Sequence, residues 1–246
     1  MITVCYNSES TIEKCLQSVI SQDYNNIEHI IVDGNSSDKT LEIISSFRIK
    51  SHKIISENDN GIYDAMNKGI KMASGDIIGM LNSDDFFYSC SSIKYIVEEF
   101  KKDNTFDCVY GNLVYLNNKN KIYRNWISQN FNKGLFQKSW TPAHPTFYCR
   151  KKVYDELQPY KLNYIIAADV EFMLRVLEVN NYKSSYINKY LVSMKLGGIS
   201  NEGLKSTILI TKEMHRAFKE NKLKFSLIKY IIFKFLKLYQ FINKKS

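Results

Sequence analysis

The chain has 246 residues, five cysteines and a formal net charge of +9. This length is enough for one substantial domain with its own core, and five scattered cysteines without a Cys-x-x-Cys pair argue against a disulfide framework or a zinc ribbon. From residue 201 to residue 246 there are 11 Lys and Arg against three Glu, so the basicity belongs to the C-terminal segment. We therefore expect a reduced, cytoplasmic protein that binds no nucleic acid.

Short β-branched runs alternate with amphipathic stretches over the first two-thirds of the chain, which is typical of an α/β domain with a largely parallel sheet. In chain order the pattern predicts strands over Ile2–Val4, Ile27–Val32, Lys53–Ser56, Ile77–Leu81 and Cys108–Tyr110. It predicts helices carrying Ile12 to Ile20, Leu41–Phe47, Ile62–Ala73 and Ser92–Lys101. The first strand opens at the first residue, which leaves open a native start upstream of Met1.

Ser10 and Glu13 have the spacing of a capping box before the first helix. After Gly111 the regular alternation stops, and Leu113–Leu116 and Lys121–Trp126 flank a polar turn that predicts a hairpin. A helix over Val170–Val179, two short β-like runs that end at Gly197-Gly198 and two final helices complete the predicted order.

Polar clusters follow three of the predicted strands: Cys5-Tyr6-Asn7, Asp33-Gly34-Asn35 and Asn82-Ser83-Asp84-Asp85. Because the carboxyl ends of parallel strands meet at one edge of a sheet, we expect the three clusters to face one crevice. The first turn lacks the Gly-x-Gly-x-x-Gly fingerprint, which speaks against a dinucleotide cofactor. Adjacent carboxylates are costly to hold together without a cation, so Asp84 and Asp85 predict Mn²⁺ or Mg²⁺ bridging a diphosphate.

Four segments, in order and spacing, resemble the motifs of family 2 glycosyltransferases with the GT-A fold: residues 4–7, 32–36, 61–69 and 82–85. The similarity covers roughly residues 1–200 and is closest to the bacterial branch that builds colanic-acid-like capsules, O-antigens and other surface polysaccharides. It implies an α/β, Rossmann-like, mostly parallel central sheet flanked by helices. It further implies a nucleotide-sugar-binding half at 1–111, a smaller antiparallel acceptor-side half at 112–200, and C-terminal helices at 201–246.

The resemblance implies an inverting, metal-dependent hexosyltransferase that uses a nucleotide-diphosphate sugar, with UDP preferred. The acceptor would be a glycan or a polyprenyl-diphosphate-linked sugar. Val4 and Tyr6 would line the nucleoside pocket, Asp33 would accept a hydrogen bond from the base, and Asn67 would be a donor-site residue.

The same resemblance gives the metal and catalytic residues. Asp85 would ligate the metal directly, with Asp84 nearer the ribose or the sugar. Ser83 stands at the first position of the family's Asp-x-Asp motif, which leaves the ligand count open. Asp169 would be the catalytic base, and His144 would lie near the donor phosphate or the acceptor. Residues 197–200 resemble a closing turn.

Simpler explanations exist for several of these side chains. Asp33 also fits a turn cap through Asn35 and Ser36, and Asp169 also fits a helix N-cap. Asp84 and Asp85 also fit an ordinary solvated loop, and His144 also fits packing in the core.

The last predicted helix has a basic and an apolar side. Lys222, Lys229, Lys234 and Lys237 fall on one side, and large apolar side chains such as Ile228 fall on the other. The helix is too short and too charged to span a bilayer, so we expect it to lie on the inner face of the cytoplasmic membrane. The alternative is a helix docked on the domain or pairing with a second subunit as a homodimer.

Two other functions were weighed. A nucleotidyltransferase that makes nucleotide sugars predicts a Gly-rich, basic loop after the first strand, and residues 5–10 contain neither Gly nor Lys. A non-catalytic carbohydrate-binding protein would tolerate the loss of Asp85 and Asp169.

Overall fold

The computed structural model describes residues 1–47, 52–117, 119–195 and 204–242. Its first half builds a parallel sheet with the strand order β1 (Ile2–Cys5), β2 (His29–Asp33), β3 (His52–Ser56). Three helices flank this sheet: α1 (Ile12–Ile20), α2 (Thr40–Ser46) and α3 (Ile62–Met72). Every residue of β1 and β2 is buried, because helices cover both faces of the sheet.

The two faces of this sheet follow the period of two along each strand. Ile31 packs with Leu16 of α1 and Ile44 of α2, whereas Ile30 shares a cluster with Met66 of α3. The predicted capping box is wrong. Thr11 precedes α1 without a side-chain cap, because the Ser8 carbonyl already accepts the Thr11 and Ile12 backbone N–H groups.

The predicted strand Ile77–Leu81 serves two sheets. Its first part, β4 (Ile77–Ile78), pairs with a strand of the second sheet. The rest runs parallel to β1: Ile2 N–H donates to Gly79 O at 3.0 Å, Leu81 N–H donates to Ile2 O at 2.9 Å, and Ser83 N–H donates to Val4 O at 3.2 Å. The segment therefore joins the sheets and brings residues 82–85 beside the end of β1.

The second sheet corrects the expectation of a mostly parallel fold. Its order is β4, β8 (Tyr148–Arg150), β6 (Cys108–Leu116), β9 (Ser184–Lys195), β5 (Phe86–Phe87), with β7 (Ile122–Trp126) on β6. Only β6 and β9 run parallel, and the other pairs are antiparallel. The predicted hairpin is confirmed as β6 and β7.

Strands β6 and β9 are each longer than predicted. Two predicted strands merge into β6 through Gly111, and the two β-like runs after Val179 merge into β9. The strand continues through Gly111. This residue lies against β9, and a Cβ there would come within 2.6 Å of Leu191 Cδ1, so glycine fits this close approach of the two strands.

The remaining helices are α4 (Ser92–Lys102), α5 (Lys151–Glu156), α6 (Ala168–Leu174), α7 (Leu204–Glu220) and α8 (Leu227–Ile242). Helix α6 continues as a π-helical stretch, Arg175–Val179, and short 3₁₀ turns occupy Phe136–Lys138 and His144–Thr146. Met214, Phe218 and Tyr230 are buried in the same core as β1 and α6, so the C-terminal helices pack onto the α/β domain. The predicted closing turn at residues 197–200 lies outside the described residues.

Candidate active site

The ends of β1 and β2 and the segment 82–85 meet at one edge of the first sheet. Ser8 and Ser83 share a hydrogen bond between their hydroxyls at 2.8 Å, Gly34 N–H donates to Cys5 O at 2.9 Å, and Asn7 N–H donates to Ser36 Oγ at 2.9 Å. The prediction that the three polar clusters converge is confirmed by these contacts. The edge exposes Tyr6, whose side chain is 63% accessible.

Asp85 is a buried carboxylate at this edge of the sheet. Its side chain is 1% exposed, and neither carboxylate oxygen is within normal hydrogen-bond geometry of any described partner. Burial, and then the charge of Asp84, raises the pKa of Asp85 well above its ordinary value. A cation at this carboxylate would remove both penalties, so the residues present fit a divalent metal ion.

Asp84 is the second acidic group at this position and is partly exposed. Over the described residues, no three His, Cys, Asp or Glu side chains converge on a point that would hold a metal. Asp84 and Asp85 are the two acidic side chains of this segment that could hold a cation. Its remaining oxygen ligands would come from other groups, such as its ligand or water.

Asp33 lies at the end of β2 and is fully buried. Its carboxylate accepts from the Ser36 backbone N–H at 3.0 Å, from the Ser36 hydroxyl and from the Ser56 hydroxyl at 2.6 Å. The two Ser36 contacts are those of a turn cap, which is the simpler explanation of Asp33. A hydrogen bond to a base would require one hydroxyl to turn away, so that role of Asp33 stays a prediction.

Asp169 lies in the first turn of α6 with its side chain 22% exposed. The Tyr63 hydroxyl is 3.2 Å from Asp169 Oδ1 and donates to Ile166 O at 2.6 Å, while His144 Nδ1 is 4.0 Å from Asp169 Oδ2. Ala167 is the N-cap, so the N-cap explanation of Asp169 is wrong. The carboxylate is thus accessible and is held by α3 and by the loop at His144.

His144 is almost fully buried and points its other nitrogen away from Asp169. Nε2 is 2.8 Å from the Tyr160 hydroxyl, and the two rings meet edge to face. Burial lowers the pKa of His144 below its ordinary value of 6.5, and the charge of Asp169 opposes this shift. The imidazole is therefore neutral at pH 7 and orients the groups around Asp169.

Two of the predicted donor-site residues have structural partners. The Asn67 side-chain amide bonds to the backbone of Tyr160 through both ends. Its Nδ2 donates to Tyr160 O at 2.8 Å, and its Oδ1 accepts from Tyr160 N–H at 3.0 Å. Val4 is buried in the core, and its carbonyl accepts from Ser83. Asn67 therefore positions the loop before α6 and Val4 positions Ser83, while their predicted contacts with a donor stay predictions.

The turn before α3 connects the two parts of the site. A Cβ on Gly34 would lie 2.6 Å from Asp59 Oδ2 and 3.3 Å from the Tyr6 ring, so Gly34 lies between these two side chains. Asp59 Oδ1 accepts from Gly61 N–H at 2.9 Å, and α3 begins at the next residue and carries Tyr63. Residues 59–63 therefore connect the surroundings of the exposed Tyr6 ring with the Tyr63 hydroxyl, which lies near Asp169.

Sequence reasoning missed Glu213, which holds the loop in front of Asp169. From α7, its carboxylate accepts three backbone N–H groups, those of Ile165, Ile166 and Ala167, at 2.7, 3.1 and 2.8 Å. The Ala167 N–H lies at the N-cap of α6, where a helix leaves its donors unpaired, and the other two belong to the loop before it. No local motif marks this residue, because its partners lie 46 to 48 residues earlier in the chain.

Glu171, two residues after Asp169, is a structural residue. It is fully buried, receives Arg175 Nε at 2.9 and 3.0 Å, and pairs with Lys161 at 2.8 Å. Arg175 in turn donates to the carbonyls of residues 157–159. Both charges are satisfied, so neither is available for chemistry.

The α/β architecture and the strand-end site define a class of nucleotide-sugar enzymes, and comparison with known proteins gives the family. Residues 1–157, more than half of the chain, match the family described as "Glycosyl transferase family 2". The chain therefore belongs to glycosyl transferase family 2 and is a nucleotide-sugar-dependent glycosyltransferase. This decides against the nucleotidyltransferase alternative. The matched range ends before Asp169.

Relatives and solved structures agree with this family. A "PGL/p-HBAD biosynthesis glycosyltransferase" of Mycobacterium bovis is 27% identical over 202 residues, which cover 79% of this chain and 76% of that protein. TarS of S. aureus in complex with UDP-GlcNAc has a TM-score of 0.68 at 18% identity, covering 91% of this chain and 67% of that one. The mannosyltransferase PcManGT of Pyrobaculum calidifontis, in complex with GDP-Man and Mn²⁺, has a TM-score of 0.65 at 15% identity, covering 89% and 62%. At these identities the structural matches establish the GT-A fold alone.

Proposed function

We propose that this chain is an inverting glycosyltransferase of bacterial surface-polysaccharide assembly. It would move a sugar from a nucleotide-diphosphate donor, UDP by preference, to a hydroxyl of a glycan or polyprenyl-diphosphate-linked acceptor. The observation that carries the proposal is Asp85, a buried carboxylate at the edge where three polar strand ends meet, for which the described residues supply no hydrogen-bond partner. The UDP-GlcNAc complex of TarS and the GDP-Man and Mn²⁺ complex of PcManGT support the donor class.

Asp85, with Asp84 beside it, would hold Mn²⁺ or Mg²⁺ against the diphosphate. The metal supplies electrostatic stabilisation of charge on the departing diphosphate. The exposed ring of Tyr6, next to Gly34, offers a stacking surface for the base. Ser83 fixes its segment to Ser8 through the 2.8 Å hydroxyl contact, which holds the two carboxylates at the end of β1.

Asp169 would act as the catalytic base. The acceptor oxygen forms its bond to the anomeric carbon while the bond from that carbon to the diphosphate oxygen breaks, and the acceptor proton passes to Asp169. Oδ2 is the suitable atom, because Oδ1 already accepts from the Tyr63 hydroxyl, whereas the His144 contact of Oδ2, at 4.0 Å, is longer than a hydrogen bond. One displacement inverts the anomeric configuration.

A panel of nucleotide sugars with Mn²⁺ tests this function through thermal shift and nucleotide release. We expect one donor both to stabilise the protein and to release its nucleotide. Asp85→Ala should lose both responses, whereas Asp169→Asn should keep the thermal shift and lose the release. A wild-type protein that responds to no nucleotide sugar would contradict the proposal, and a thermal shift without any turnover would indicate a non-catalytic binding protein.

We also propose that α8 attaches the enzyme to the inner leaflet of the cytoplasmic membrane. The helix docks through Tyr230, which is buried, and through Lys234, whose Nζ lies 3.4 Å from Thr207 O. Its apolar side faces outward, with exposed side chains at Leu227, Ile228, Ile231, Ile232, Phe235 and Leu236. The alternative of a helix docked on the domain therefore holds for the Tyr230 side of α8, and the apolar side chains named above stay exposed. The helices of the described part contain no segment long and apolar enough to cross a membrane.

The attachment follows from the exposed apolar side beside basic residues such as Lys229, which suits an anionic lipid surface. Vesicles containing phosphatidylglycerol should retain the wild-type protein and release the triple variant Ile228→Gln, Ile232→Gln, Phe235→Gln. The matched control replaces three exposed isoleucines elsewhere: Ile20→Gln, Ile54→Gln, Ile122→Gln. Equal vesicle binding by both variants would refute the attachment, and a dimer that dissociates only in the first variant would favour subunit pairing.

A further inference from the structure

A second concave site lies beside the candidate active site. A cavity of about 270 Å³ is lined by side chains from α4, β6, β9 and the segment that follows β5, among them Tyr88, Tyr95, Asn112, Asn188, Lys189 and Tyr190. Tyr88 follows Asp85 by three residues through β5, and its N–H donates to Leu191 O at 2.9 Å. Three residues of extended chain span about 10 Å, so the Tyr88 backbone lies within that length of chain from the proposed metal position.

An irregularity in the pairing of β6 with β9 creates this cavity. Tyr110 pairs with Tyr186 and Asn112 pairs with Tyr190, so β9 uses four residues where β6 uses two. The two extra residues form a bulge, a feature that redirects side chains and is common beside active sites. Gly111 permits the bulge, because a Cβ there would lie 3.0 Å from Lys189 O.

The bulge presents an oriented amide. Asn188 Oδ1 accepts from Asn112 Nδ2 at 3.1 Å, which orients the side chain. The single proton of the Tyr186 hydroxyl lies between Asn112 Oδ1 at 2.9 Å and Asn188 Oδ1 at 3.1 Å. Asn112 Oδ1 is itself held by Ser128 N–H at 2.9 Å. Within the described structure, the Asn188 NH₂ group makes no hydrogen bond, so both of its donors are available to a ligand.

Tyrosine rings supply the apolar part of the site. The rings of Tyr88 and Tyr190 are 5.3 Å apart and tilted by 44°, and Tyr88 is 45% exposed. Neither hydroxyl has a hydrogen-bond partner among the described residues. Lys189, whose Nζ is 5.7 Å from the Tyr95 ring, brings the only cation among the residues named for this cavity.

We propose that this cavity binds one sugar residue of the acceptor glycan, away from the residue that is glycosylated. A pyranose has apolar faces that stack on aromatic rings and hydroxyl groups at its rim that bond to amides and phenols. The volume lies just under the roughly 300 Å³ at which pockets for drug-sized ligands begin, which fits one ring and excludes a whole nucleotide sugar. The acceptor role rests on the proposed glycosyltransferase function.

A microarray of bacterial polysaccharide fragments, probed with the full-length protein, tests this site. We expect the wild type to bind at least one fragment, and Tyr88→Ala and Tyr190→Ala each to weaken that binding by about tenfold or more. Tyr123→Ala is the matched control, since Tyr123 is a 67% exposed tyrosine on β7 outside the cavity, and it should bind as the wild type does. Asn188→Asp, which keeps the size and replaces the donors, should also weaken binding and guards against a folding defect.

The outcomes separate this inference from the function on which it rests. Absence of glycan binding by the wild type, or binding that none of the three cavity variants weakens, overturns the sugar site even if the nucleotide-sugar panel succeeds. A protein that responds to no nucleotide sugar in that panel, yet binds glycans through these tyrosines, refutes the transferase and retains the sugar site.

Discussion

Glu213 of α7 should control both the stability of the protein and the position of Asp169. The Glu213→Ala variant leaves three backbone N–H groups without their acceptor, those of Ile165, Ile166 and Ala167. Ala167 is buried, so its N–H loses its partner at a cost of about 2 kcal/mol. Ile165 and Ile166 are more exposed, so water can replace the carboxylate there and each loses about 0.5 kcal/mol.

The sum is about 3 kcal/mol, which corresponds to a fall in Tm of about 6–12 °C for a chain of this size. The Glu213→Gln variant should lose less, because a Gln oxygen in the position of Oε2 still accepts from Ile166 and Ala167. Only the exposed Ile165 N–H then loses its acceptor, so the loss is about 0.5 kcal/mol and a fall in Tm of about 1–2 °C is expected.

Differential scanning fluorimetry of both variants gives the measurement, with Lys212→Ala as the control, because Lys212 is the exposed neighbour of Glu213 on the same helix. The wild type and Lys212→Ala should have the highest Tm, Glu213→Gln a lower Tm and Glu213→Ala the lowest Tm. The nucleotide release assay should show loss in the same order, because the loop that leads into α6 is no longer held. A Glu213→Ala protein as stable as the Lys212→Ala protein would refute the role assigned to this carboxylate.

Three further perturbations test the surroundings of Asp169. Glu171→Ala leaves the buried Arg175 charge without its partner, so we expect a loss of about 3–5 kcal/mol in the free energy of unfolding, measured by urea titration; a loss near zero would show that the pair is not needed. Tyr63→Phe should lower kcat and leave the KM for the donor unchanged, and a change confined to KM would count against the contact with Asp169. Burial lowers the pKa of His144 in the folded protein, so the unfolded chain binds a proton at this residue more readily. The stability that neutral His144 contributes is therefore present above pH 6.5 and is lost as the pH falls through the folded-state pKa. His144→Gln should therefore lose less Tm than the wild type when the pH is lowered from about 7 to about 5, and parallel curves would contradict this.

The strand-end residues were predictable because a parallel sheet determines where its strands terminate. Asp33 and Ser83 lie where the alternation of strands and helices predicted, even though the strand before Ser83 divides between two sheets. Asp169 was identified only by the family resemblance, because no local pattern in the sequence marks it. The structure shows that its carboxylate contacts the Tyr63 hydroxyl of α3. The burial and missing partners of Asp85 follow from packing that no short motif encodes.

The second sheet and the support of the base depend on contacts between distant residues, which a single sequence does not specify. Two short runs after Val179 read as separate strands, because a local pattern does not distinguish a bulge from a break. Helix α8 was predicted to be amphipathic, but its periodicity could not decide which side docks. Tyr230 docks on the domain, whereas apolar side chains such as Ile228, Ile232 and Phe235 are exposed.

Calorimetric titration of UDP into the protein, with Mn²⁺ or with a chelator, tests most directly whether Asp85 holds a cation for a diphosphate. We predict that the wild type binds UDP with Mn²⁺, and that chelation or Asp85→Asn each weakens binding at least about tenfold. The control Asp76→Asn, an exposed aspartate outside the site, should bind as the wild type does. UDP binding of equal strength with and without the metal, and in wild type and Asp85→Asn alike, would contradict the proposed site.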